Sequence, residues 1–255
     1  MRWKRTFVWL LLPFYAACGT HEAQLKKEKE GSAYYKLGVS YLNDNLLQKA
    51  SIEFQKAIET DPNNREAHYA LGHVHFVQES YGQALVSFKK ALSIDPVYSE
   101  AHNYLGKVYE IQGKPDEAIA EFEAALKNPH YDTPEKAHFN IGLIYAKQEK
   151  FEQAIRSFQS VLRVAPPDAT GVTAVAYHEI GKAQARMGKP KEAIVSYQEA
   201  VRIAPNFLDA QLSLASAFLK DGSKDLAAGT FKKIVELSPE SPQGKEAQKF
   251  LDTLR

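Results

Sequence analysis

The sequence has a single cysteine and two methionines in 255 residues. One thiol cannot close an internal disulfide or build a multi-cysteine metal site. Neither charge is in excess: 32 Lys and Arg stand against 31 Asp and Glu. No long-range field is therefore available to grip a phosphate backbone, which argues against nucleic acid as a partner. A long hydrophobic run is also missing. The apolar stretch from Phe7 to Tyr15 is well short of the roughly 20 residues a membrane-spanning helix needs. Catalytic loops are missing too, with no Gly-rich phosphate loop and no G-x-S-x-G elbow. His178-Glu179 opens an H-E-x-x-H zinc pattern, but Lys182 stands where its second His belongs. We read no enzyme here, and no cofactor, metal site or small-molecule substrate.

What is present begins with an asymmetric N-terminus. Met1-Arg2-Trp3-Lys4-Arg5 is basic, the apolar run follows, and Ala16-Ala17 precede the lone Cys18. Basic, apolar, small is the order of an export signal, which gives residues 1–17 as a cleaved segment. Tyr15-Ala16-Ala17-Cys18 resembles the lipobox of bacterial lipoproteins, although Tyr15 occupies the usual Leu position. The resemblance implies lipidation of Cys18 after export, and Gly19 in place of Asp implies sorting to the outer membrane, with the chain facing the periplasm. Residues 18–30 are charged and nearly free of apolar side chains, so they read as a tether or a helical lead-in.

From residue 31 the chain repeats. Gly38, Gly72 and Gly106 are 34 residues apart, and so are Ala50, Ala84 and Ala118, and Phe54, Phe88 and Phe122. Two insertions, near His130–Pro134 and between Asp168 and Thr173, shift the frame before it returns with Gly142/Phe158, Gly181/Tyr197 and Ala215/Phe231. These positions resemble the tetratricopeptide (TPR) repeat. The resemblance implies an all-α, right-handed superhelical solenoid of six helix pairs at 31–64, 65–98, 99–134, 135–173, 174–207 and 208–241. The residue physics agrees. A small residue lets paired helices approach, an aromatic such as Phe54 fills the space between one unit and the next, and Asp-Pro ends the second helix because the residue before Pro is pushed out of the helical region. A lone pair cannot bury its apolar face, so pairs must stack. Residues 242–255 then read as a capping helix, with Ala247, Phe250, Leu251 and Leu254 on one face.

His68, His73 and His75 invite a metal reading. His68, His102 and His138 share one repeat position, however, and His75 shares another with Tyr41 and Tyr109, so packing accounts for all but His73. In TPR solenoids the first helix of each pair lines the concave groove, and this mapping gives a partner surface of Tyr35, Val39, Leu42, Tyr69, His73, Phe76, Asn103, Lys107, Phe139 and Leu143. Glu110, His178, Lys182, Leu212 and Leu219 extend it. The first two repeats thus offer an apolar, aromatic-rich strip of the type that anchors a peptide or helix. Tyr35 and Val39 replace the Lys and Asn with which chaperone-type TPR domains clamp a C-terminal carboxylate, which argues against that ligand.

One linker narrows the resemblance. Pro129-His130-Tyr131-Asp132-Thr133-Pro134, followed by Ala137 and Asn140-Ile141-Gly142, resembles the corresponding stretch of the type IV pilus pilotin lipoproteins. These also combine a lipidated cysteine with six TPR units. That implies a non-catalytic outer-membrane lipoprotein that binds secretin subunits and promotes their localisation and assembly. Two alternatives remain open from sequence: a general periplasmic TPR adaptor, and a regulatory subunit of a cell-envelope hydrolase.

Overall fold

A computed structural model describes residues 12–253, with side chains from His21 onward. The thiol of Cys18 and most of the export segment lie outside the described residues. Among the described residues the chain is all α-helix, thirteen helices without a strand. No helix among them is long and apolar enough to cross a membrane.

Two compact units divide the chain between Gly113 and Lys114. The first holds α1 (Leu12–Asn43), α2 (Leu47–Thr60), α3 (Arg65–Val77), α4 (Tyr81–Ile94) and α5 (Ser99–Ile111). The second holds α6 (Pro115–Leu126), α7 (Pro134–Lys147), α8 (Phe151–Val164), α9 (Thr170–Arg186), α10 (Pro190–Ile203), α11 (Leu208–Lys220), α12 (Lys224–Leu237) and α13 (Pro242–Thr253). Helices pack as antiparallel pairs, α1 with α2 and α3 with α4 in the first unit, α7 with α8, α9 with α10 and α11 with α12 in the second. The division falls in the turn joining the two helices of the third repeat.

The pairs close because one helix carries a glycine where the other carries a ring. A Cβ added at Gly38 would lie 2.5 Å from Phe54 Cε1, and one at Gly72 would lie 2.7 Å from Phe88 Cε1. Gly142 against Phe158 and Gly181 against Tyr197 repeat the arrangement, at 2.6 and 2.5 Å. Phe54, Phe88, Phe158 and Phe231 are fully buried, and each contributes about 1.5–3 kcal/mol by leaving water. The aromatic therefore packs against the first helix of its own pair, closer to home than the inter-unit space the repeat pattern suggests.

Turns follow the same period. A left-handed residue sits at the fifteenth position of every repeat: Asn45, Glu79, Gly113, Glu149, Gly188 and Gly222, with φ between 58° and 84°. Between repeats, Asp61 and Asp95 cap the ends of α2 and α4. Their Oδ1 atoms accept from the backbone N–H of Asn63 and Val97, both at 3.1 Å, forming the Asx turns that Asp-Pro favours.

The last helix caps the second unit. Phe250 stacks on Phe231 with centroids 4.9 Å apart and planes 11° from parallel, and Ala247 is fully buried. Gly244 lies so close to the Ser238 carbonyl that a Cβ there would fall 2.1 Å from the oxygen. Leu254 lies outside the described residues.

Candidate functional site

In the first unit, α1, α3 and α5 bring most of the predicted strip together. Tyr35 leans on Phe54 at 5.9 Å, and Val39 and Leu42 are half-buried against the cluster of Ala50, Phe54, Ala70 and Val74. Tyr69 lies among four rings: His73 at 6.5 Å, Phe88 at 5.9 Å, Tyr98 at 5.2 Å and Tyr104 at 5.9 Å. Phe76 meets Tyr81 and Tyr104 edge-on, at 5.7 and 5.3 Å. Asn103 is buried, so it contributes packing and presents no surface. The Lys107 ammonium sits 4.7 Å from the centroid of the Tyr104 ring, a cation–π geometry that holds one positive charge over the aromatic strip.

Sequence mapping missed Tyr104, the centre of this cluster, which touches Tyr69, His73, Phe76 and Phe88. A signal existed. The equivalent positions in the other repeats hold Lys36, Ala70, Asn140, Glu179 and Ser213, so a ring at this point breaks the pattern. Tyr98 was missed as well. It follows the Asp95-Pro96 turn and folds over Tyr69, and its other side faces the Arg65 guanidinium 5.2 Å away. Arg65 is itself paired with Asp95 and Glu66.

The strip stays uncharged apart from those cations and acids. Burial pushes Tyr98 well above the usual phenol range and raises Tyr35 and Tyr104 in the same direction. The His73 imidazole is pushed down, first by burial and then by the Lys107 charge, so it is neutral at pH 7.

Two other histidines, His68 and His102, serve the backbone. His68 Nε2 donates to the Pro62 carbonyl at 3.0 Å and His102 Nε2 to the Pro96 carbonyl at 3.1 Å. Gln211, at the same repeat position, donates to the Pro205 carbonyl. A long polar side chain at this point thus satisfies the carbonyl of the inter-repeat proline. No group of three or more His, Cys, Asp or Glu able to hold a metal occurs among the described residues.

In the second unit Phe139 leans on Phe158 at 5.5 Å, and Leu143 is half-buried in the same cluster. His178 is buried against Tyr197 and Phe207, with Nε2 2.9 Å from Ser213 Oγ. Phe207 occupies the repeat position of Tyr98 and covers His178 as Tyr98 covers Tyr69. Glu179 Oε1 is 3.9 Å from His178 Nδ1 and 2.8 Å from Lys182 Nζ. Ser, His and Glu in sequence invite comparison with a hydrolytic triad. The Glu–His distance is too long for a hydrogen bond, and Ser213 and His178 lie inside α11 and α9, where neighbouring N–H groups are committed to helix bonds and cannot form an oxyanion hole. A shallow hollow of about 240 Å³ beside Tyr197 is floored by Ala185, Leu212, Ser213, Ser216 and Ala217, with Lys220 at its edge.

Tetratricopeptide-repeat models match residues 35–99, 69–133 and 178–242, and a further one matches 133–206. No curated protein sequence matches the chain. Among solved structures, PilF of Pseudomonas aeruginosa superposes with a TM-score of 0.73 at 22% identity, covering 88% of this chain and 99% of that one. PilW, a type IV pilus biogenesis factor, gives 0.72 at 22% identity, with 86% and 98% covered. MamA gives 0.58 at 26% identity over 70% of this chain and 97% of that one. At these identities the likeness to PilF and PilW establishes a common fold.

Proposed function

This chain belongs to the tetratricopeptide-repeat family, and we propose that within it the protein is a non-catalytic, lipid-anchored partner of a secretin. It binds secretin subunits at the outer membrane and promotes their localisation and assembly in type IV pilus biogenesis. The observation that carries this reading is the end-to-end superposition on PilF and PilW, 99% and 98% of whose chains are covered. The linker Pro129–Pro134 and the position of Cys18 support it from the sequence.

The partner surface is the face of first helices. In the first unit Tyr35, Val39, Leu42 and Phe76 present half-exposed apolar groups backed by a rigid aromatic layer. Such a surface anchors another protein at low ordering cost, because its side chains are already held by their neighbours. Tyr69, His73, Asn103 and Lys107 shape that layer, and Phe139 and Leu143 supply the corresponding face in the second unit.

Capture of the secretin by the purified protein tests the reading. Wild type should retain it, and a Tyr35→Glu/Phe76→Glu variant with an unchanged circular dichroism spectrum should lose at least tenfold in affinity. Equal retention by both would remove the strip from the proposal. No retention by wild type would remove the secretin.

A further inference from the structure

Residues 21–30 belong to α1, yet all ten side chains are exposed. Tertiary packing is the usual source of helix stability, and an isolated segment this short is marginal in water. Three local features replace packing here. First, the helix is already nucleated: the part of α1 from Gly31 to Asn43 is packed on α2, so each residue added upstream faces propagation without the nucleation cost. Second, Glu22, Ala23, Gln24, Leu25, Lys26, Lys27, Glu28, Lys29 and Glu30 are all strong helix formers. Third, their spacing is supportive. Gln24 Nε2 donates to Glu28 Oε1 at 3.1 Å, and Glu22/Lys26 and Lys26/Glu30 stand four apart with opposite charge, pairs worth about 0.2–0.5 kcal/mol each.

Gly31 marks where the helix leaves the repeat. It is buried, and a Cβ there would fall 2.9 Å from Asp61 Cβ and 3.2 Å from the Ala57 carbonyl oxygen. α1 therefore departs at the edge of the first unit that carries the Asp61–Asn64 turn.

From this geometry we infer that residues 18–30 form a charged helical strut that holds the first repeat at a set distance from a lipid surface. The inference rests on the reading of Cys18 as the anchor. Thirteen residues of helix span about 20 Å. A flexible linker of the same length has a root-mean-square span of about 20 Å as well. The strut is thus distinguished by the width of the distance distribution and not by its mean: a coil samples contact with the bilayer and a helix does not.

The test uses the full-length lipoprotein in nanodiscs of phosphatidylethanolamine and phosphatidylglycerol, spin-labelled at His21→Cys and Glu59→Cys and measured by electron–electron double resonance. One narrow distance peak is expected. Replacing Lys26–Lys29 by Gly-Ser-Gly-Ser should broaden it at least twofold and increase quenching of a dye at Val97→Cys by a headgroup quencher. A distribution already broad in the unreplaced chain, or dye quenching unchanged by the replacement, overturns the strut. Mass spectrometry on the same sample separates the premises: a narrow peak on a chain without lipid overturns the anchor reading and, with it, the membrane role, while leaving the helix.

Discussion

A single methyl group should have opposite effects at two helical glycines of the second unit. At Gly142 the added Cβ would lie 2.6, 2.8 and 2.9 Å from Cε1, Cδ1 and Cζ of Phe158. Carbon atoms rest about 3.5–4.0 Å apart, so the fully buried ring or the helix must move by about 1 Å. Overpacking of this kind costs about 1–3 kcal/mol. The sixth repeat carries Ala215 opposite the buried Phe231, evidence that a shifted pair can accept a methyl group, which favours the lower half of that range. Against it stands the helix preference of Ala over Gly, about 1 kcal/mol. Gly142→Ala should therefore be neutral to destabilising by about 1 kcal/mol. Gly229, inside α12, has no heavy atom within 4 Å of an added Cβ, so Gly229→Ala keeps the whole helix gain and should stabilise by about 1 kcal/mol. Urea denaturation followed at 222 nm measures both. Phe158→Leu should cost less in the Gly142→Ala background than in wild type, with a coupling of about 1 kcal/mol. Equal stabilisation by the two alanines, or no coupling to Phe158, would refute the close-approach account of the repeat.

Three further outcomes follow from the same geometry. Glu79 holds φ at 58°, a strained region for a side chain with Cβ, so Glu79→Gly should raise stability by about 0.5–1 kcal/mol in the same assay while Glu79→Val lowers it. Burial lowers the folded-state pKa of His68, His73, His138 and His178. Their contribution is complete above about pH 6.5, the unfolded value, and is lost as pH falls toward the folded values, because the unfolded chain then binds more protons. Denaturation midpoints should fall between pH 6.5 and 5, and less steeply in His178→Gln. Tyr104→Ala removes ring contacts to four neighbours and should cost about 2–3 kcal/mol, with loss of near-ultraviolet dichroism from Tyr69 and Phe76's surroundings.

Much of the fold is legible in the sequence because the repeat states its constraints more than once. Gly38/Phe54 and its copies announce the close helix approach, Asp61-Pro62 and Asp95-Pro96 announce where second helices end, and the Ala247/Phe250/Leu251 face announces the cap. What was not legible lies where the pattern carries no information. Tyr98 and Tyr104 stand at positions that the groove mapping leaves out, and their role comes from tertiary meeting points between α3 and α5. The helical state of residues 21–30 was undecidable from hydrophobic periodicity, since a segment with almost no apolar side chains has no periodicity to read. Its helix comes from local propensity and from the folded pair that continues it. The prolyl-carbonyl partners of His68 and His102 were invisible for a different reason: a polar side chain at a repeat position reads as packing until the backbone group it satisfies is located.

The proposed action of this repeat protein on secretin assembly, through a lipid anchor at Cys18, has a direct readout in cells. Heat- and detergent-resistant secretin multimers should be compared in membranes of wild-type cells, a deletion strain and a strain carrying Cys18→Ala. Multimers should be lost in the deletion strain and reduced or mislocalised in Cys18→Ala. Normal multimers, correctly placed, in all three strains would rule out a role in secretin assembly.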